Sequence, residues 1–107
     1  MATIQEVQFD SPIYYVGQRV RVEFEFRLYG VPTDPTVIQV AARNPVTEST
    51  VFLVYPNASL TRVGTGLYEA DFVVSDPGQW HFRAEGAGVV DAVTEVHLDV
   101  LASTTVY

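Results

Sequence analysis

The chain has 107 residues, near the modal size of a single domain, and 48% of them are hydrophobic. That content excludes a disordered chain, and no apolar run reaches the roughly 18 to 20 residues of a membrane helix, so one soluble domain over residues 1–107 with no membrane partner is expected. A net charge of −7, with six arginines and no lysine, excludes a basic surface for nucleic acid, and the lack of cysteine excludes disulfides and thiolate chemistry.

Met1 to Glu6 lacks the basic and apolar regions of a secretion signal, which predicts a free-standing product made and folded in the cytoplasm. Ile4 to Phe9 alternates weakly and stops at Asp10-Ser11-Pro12, where proline removes a ladder donor; this reads as an edge strand, with 1–12 able to act as a terminal arm. From Arg19 to Leu28, Val20, Val22, Phe24, Phe26 and Leu28 alternate without a fault against charged residues, the strongest strand pattern in the chain. Gly30 to Pro35 is a loop by its turn chemistry, and the chain is expected to cross over there. Val37 to Ala42 follows as a strand with Ile38, Val40 and Ala42 on one face; Asn44-Pro45 turns, Thr50 to Tyr55 forms the next strand, and Leu60 to Val63 a short one.

Beyond Gly64-Thr65-Gly66, the residues Tyr68, Ala70, Phe72 and Val74 alternate inward, and after Ser75-Asp76-Pro77-Gly78 so do Trp80, Phe82 and Ala84. The spacing predicts two adjacent antiparallel strands joined by that turn. Gly86-Ala87-Gly88 reads as a hairpin turn into a last strand from Val89 to Leu101, paired with the strand that carries Trp80. Residues 102–107 form a second candidate arm. Turns recur every 8 to 12 residues or so and no window carries a helical period, which predicts an all-β, immunoglobulin-like antiparallel β-sandwich of about seven to eight strands.

The chain offers few groups for chemistry. His81 and His97 with nearby carboxylates have ligand types suited to zinc or manganese, but a turn near Ala87 sets His81 opposite Val93 and the two imidazoles several residues apart. Ser11, Ser49, Ser59, Ser75 and Ser103 carry no nucleophile signature. Glu23 and Glu25 share a strand face about 7 Å apart, but arginines on that face make them ion-pair partners before a glycosidase pair. Gly86 to Gly88 precedes a strand, not a helix able to hold an anion. Trp80 alternates with core residues, which leaves Tyr14, Tyr15 and Tyr55, beside loops and edges, as aromatic contacts. No catalytic, cofactor-binding or metal-binding residue is expected, hence no cofactor and no enzyme activity.

Several motifs recur together: Y-Y-V-G-Q-R-V-R-V at Tyr14 to Val22, D-P-T-x-I at Asp34 to Ile38, G-x-Y at Gly66 to Tyr68, and P-G-x-W-x-F-R-A-E-G-A-G at Pro77 to Gly88. Jointly they resemble the small immunoglobulin-like structural proteins of tailed bacteriophages and prophages, over nearly the whole chain. The resemblance implies a virion component, foremost a capsid decoration or accessory protein on the head and next a neck or tail component. Its partners would be the major capsid protein or other virion subunits, with homo-oligomers in the particle. The sequence departs from that pattern at Val46 to Ser59, which is unusually apolar from Val51 to Tyr55. An apolar edge needs a cover, so Tyr14, Tyr15, Val51, Phe52, Leu53, Tyr55 and Tyr107 are the candidate interface. The rival expectation is a carbohydrate- or host-surface-binding module with the loop tyrosines as stacking platforms.

Overall fold

The computed structural model describes residues 2–9 and 14–102, which form ten strands and no helix. They are β1 (Ala2–Phe9), β2 (Tyr14–Tyr15), β3 (Arg19–Leu28), β4 (Val31–Pro32), β5 (Val37–Arg43), β6 (Thr50–Val54), β7 (Leu60–Gly64), β8 (Leu67–Val73), β9 (Gly78–Ala87) and β10 (Ala92–Leu101). One sheet runs β1-β3-β8-β7 with β4 added on β3, and the other runs β2-β10-β9-β5-β6. The two pack face to face as an immunoglobulin-like sandwich. Against the seven to eight strands that the alternation predicts, the described residues form eight longer ones and add the two-residue β2 and β4. β2 pairs parallel to β10 while β1 pairs antiparallel to β3, so the first segment of the chain supplies an edge to each sheet.

Alternation becomes burial most clearly on β3, where Val20, Val22, Phe24 and Phe26 are wholly buried. Each such side chain contributes about 1.5 to 3 kcal/mol, against at most about 1 kcal/mol for an exposed ion pair. The inner face therefore fixes the register, and the outer pairs decorate it. Those outer pairs are present: Arg21 meets Glu69 at 3.2 Å and Asp71 at 3.0 Å, and Arg27 pairs with Glu25.

Two expectations need correction. β8 and β9 are not neighbours: the Ser75-Asp76-Pro77 link carries the chain from one sheet to the other. Phe72 and Phe82 consequently stack across the interior, with ring centroids 6.0 Å apart and planes at 11°. The arch lets both strands bury their even-numbered residues from facing sheets, and Trp80 locks it by donating its Nε1–H to the Asp76 carbonyl at 2.9 Å.

The last turn also lies later than predicted. Gly86 belongs to β9, and a Cβ there would stand 2.7 Å from Phe26 Cε1. Ala87 is taken by β5, whose Val37 it faces and whose preceding Thr36 N–H it accepts at 2.9 Å. The turn is left to Gly88, at φ +93°, through Asp91, with Val90 folded into the core, and the final strand starts at Ala92 and not at Val89.

The recurring motifs turn out to be fold contacts. Asp34 of D-P-T accepts from the Gly66 N–H and the Tyr68 hydroxyl of G-x-Y, each at 2.8 Å, and is clasped by Arg62 Nε and Nη2 at 3.2 and 3.0 Å. The Arg62 hydrogen bond, helped by the other two donors and opposed by partial burial, holds the Asp34 carboxyl down from 3.8 to about 2. Burial and the bond to Asp34 push the Tyr68 hydroxyl up. In Y-Y-V-G-Q, Gly17 at φ +92° donates to the Val74 carbonyl at 2.7 Å.

Candidate functional site

β6 forms one end of the second sheet, and it does so without the devices that natural sheets use to blunt an edge. β2 is only two residues long. β1 carries a register shift between Gln5 and Gln8, and β7 another between Arg62 and Gly64, with Arg62 held by Asp34. β6 pairs with β5 in unbroken register from Arg43↔Thr50 to Gln39↔Val54, and its sequence Thr-Val-Phe-Leu-Val has no charge, glycine or proline.

The ladder shows which groups it leaves open. The Tyr55 N–H donates to the Ile38 carbonyl at 3.0 Å. Because alternate residues of an antiparallel strand turn both backbone groups to the same neighbour, Leu53 and Val51 also face β5, whereas Thr50, Phe52 and Val54 present N–H and C=O outward. Among the described residues nothing pairs with that outer edge.

The side chains are as open as the backbone. Phe52 is 59% exposed, Val51 51% and Val54 49%, with Tyr55 beyond them exposed and Leu53 half-buried. Phe52 and Val54 lie on the outer face of the sheet opposite Ala41 and Gln39. Val51 and Leu53 lie on the inner face opposite Ala42 and Val40, where they line a groove of about 300 Å³ reaching Phe72 and Trp80 between the sheets. Arg19 and Asp71 stand at the same groove. Asn44 fixes the approach to β6: its side chain accepts from the Val46 and Thr47 N–H groups at 2.9 and 3.2 Å and donates to Asp76 at 2.7 Å. Buried polar Asn44, which the pattern of apolar alternation does not reveal, thus ties the loop before β6 to the arch before β9.

Val51, Phe52, Leu53 and Tyr55 lie together on or just beyond β6. Tyr14 is not with them: it is 1% exposed and packs edge-on against Phe9, at 6.3 Å between ring centroids, because β2 turns it inward. Its neighbour Tyr15 is half-buried on β2, at the opposite end of the sheet, with its N–H held by the Gln18 side chain at 2.6 Å. Tyr55 rests its ring against Tyr68 at 5.6 Å, so part of its surface serves the core. Tyr107 and the arm at 103–107 lie outside the described residues, as do 10–12 of the amino-terminal arm; Ala2 to Phe9 is no loose arm but a strand on β3.

The two histidines are a further correction. They are direct cross-strand partners with ring centroids 4.3 Å apart, because the turn lies at 88–91 and not at Ala87. Among the described residues no group of three or more His, Cys, Asp or Glu is placed to hold a metal ion.

No protein-family model matches the chain, and no curated protein matches it by sequence. Solved structures do match by shape. A DUF4785-family protein of Legionella pneumophila aligns with a TM-score of 0.69 at 13% identity, over 90% of this chain and 28% of that one. The cell-surface-expressed chitinase ChiW of a Paenibacillus species aligns at 0.62 and 10% identity, over 92% of this chain and 8% of that one. A Paenibacillus cycloisomaltooligosaccharide glucanotransferase, solved with cycloisomaltoheptaose, aligns at 0.57 and 15%, over 94% and 14%. The chain thus spans under a third of each, and what the likeness establishes is the β-sandwich fold.

Proposed function

We propose that the protein is a non-enzymatic structural subunit of a tailed-phage particle, foremost a decoration or accessory protein of the head, with a neck or tail position as the variant of the same reading. The observation that carries it is the apolar, uncharged β6 edge, a surface that needs covering and that a repeating shell covers many times over. The sequence resemblance to small immunoglobulin-like virion proteins supplies the setting. Weak contacts repeated by symmetry then add up to firm attachment without any single strong site. The rival carbohydrate- or host-surface-binding reading draws on the fold likeness to domains of a chitinase and a glucanotransferase, but buried Tyr14 is lost to it as a stacking platform.

Quantitative mass spectrometry of gradient-purified particles, normalised to the major capsid subunit, tests the proposal. A copy number comparable with the capsid subunit is expected, and Val51→Asp should lower it severalfold. A few copies per particle would move the protein to the neck or tail. Absence from particles would overturn the virion reading, and binding on a glycan array would then promote the rival.

A further inference from the structure

The open edge of β6 is complementary to itself. We infer that its occupant is a second copy of this chain, paired antiparallel through β6 about a two-fold axis at Phe52. The inference names the partner at the edge on which the proposed function rests, yet it is tested in solution, without particles.

Three observations converge on this partner. First, the outward-facing residues Thr50, Phe52 and Val54 are spaced symmetrically. In the register centred on Phe52, Phe52 meets Phe52 of the second copy, and Thr50 and Val54 meet each other twice, so every outward backbone group gains a partner. A register centred one residue to either side leaves one of the three unmatched. Second, that register also matches the side chains. Val51 falls opposite Leu53 of the second copy on the inner face, continuing the apolar β6 wall of the groove, while the two Phe52 rings adjoin on the outer face.

Third, charge selects the place. Each copy carries −7, so two copies repel over most of their surface and can meet closely only along a neutral strip. β6 is that strip, and the nearest acid, Glu48, falls opposite Pro56 of the second copy and not opposite another carboxylate. The other edges are bulged or only two residues long. The product is a continuous sheet formed from the β2-β10-β9-β5-β6 sheets of both copies, closed at two subunits because each β6 edge is used once.

A contact of one strand and its flanking groove buries on the order of 1,000 Å², at the small end of specific interfaces, so half-dimerisation is expected at roughly 10 to 100 μM. Screening the mutual repulsion with about 0.5 M salt should strengthen it. Light scattering over a concentration series of the full chain should show a mass rising from 11.8 kDa to twice that value. Phe52→Asp and Phe52→Lys should each raise the dissociation constant about 100-fold or more, and an equimolar mixture of the two should dimerise again.

Because the chain has no cysteine, Phe52→Cys gives a clean position test: a hydrogen-bonded pair holds its Cα atoms about 5.5 Å apart, within disulfide reach. Phe52→Cys should cross-link under mild oxidation, and Tyr29→Cys, on the fully exposed β3–β4 turn, should not. A parent chain that stays monomeric to about 1 mM, a Phe52→Asp variant that dimerises like the parent, or Tyr29→Cys cross-linking as fast as Phe52→Cys would each overturn the inference.

Discussion

β6 and β7 are consecutive strands of five residues, each ending a sheet, and they treat their open sides in opposite ways. β7 breaks register before Gly64, points Arg62 at Asp34 and buries Leu60, so its edge is bent, charged and tied to the turn that follows. β6 is unbroken and apolar on both faces. The comparison teaches that one fold can tie one sheet edge into its own turn and leave another bare. Perturbing the closed region should therefore cost folding, and perturbing the open one should cost association alone.

The largest effect is expected at Gly66→Ala, in the turn that β7 feeds. Gly66 sits at φ +74°, and a Cβ there would lie 2.6 Å from the Phe26 carbonyl oxygen and 2.8 Å from the Thr33 nitrogen. Backbone strain plus a clash with backbone should destabilise the domain by about 3 kcal/mol or more in urea unfolding. Asp34→Asn comes next, at about 2 kcal/mol, since it weakens charge-assisted bonds to Arg62, Gly66 and the buried Tyr68 hydroxyl at a site still partly open to solvent. Because the folded carboxyl titrates near 2 and the unfolded one near 3.8, its contribution is complete above about pH 4 and is lost as pH falls through 2. The stability gap between parent and variant should close over that interval; a gap that persists below pH 2 would refute the assigned role. Phe52→Asp should be the smallest, within about 0.5 kcal/mol for the monomer, because the side chain it replaces is mostly in water. An unfolded Phe52→Asp monomer would erase the contrast between the two edges.

Much of this was legible from residue types alone. The faultless alternation of β3 marked a strand whose bounds the structure reproduces, and the apolar Val51 to Tyr55 run marked an exposed edge, because apolar residues that no core claims have to end somewhere. Partner choice was less legible. Period-two alternation on both sides of Ser75-Asp76-Pro77 suits a hairpin and an arch alike, since a three-residue hairpin loop would also keep the even-numbered residues on one face. The His81–His97 pairing depended on a turn displaced by two residues, which in turn depended on β5 claiming Ala87, a tertiary event. Tyr14 looked like a loop aromatic because a two-residue strand is too short to display a period, so nothing local fixed the side to which it points.

The crossing of the chain between sheets also sets the tempo of folding. Fifty residues separate Arg21 from the Asp71 it pairs with, so β3 stays uncovered on that side until two-thirds of the chain has been made. The β5–β6 hairpin, in contrast, closes over a short loop and can form early. Closure of the sandwich over long-range pairings of this kind is slow, in the millisecond-to-second range. The β5–β6 hairpin, with its neutral outer edge, is therefore a local unit whose formation does not wait for the long-range pairings that seal the core.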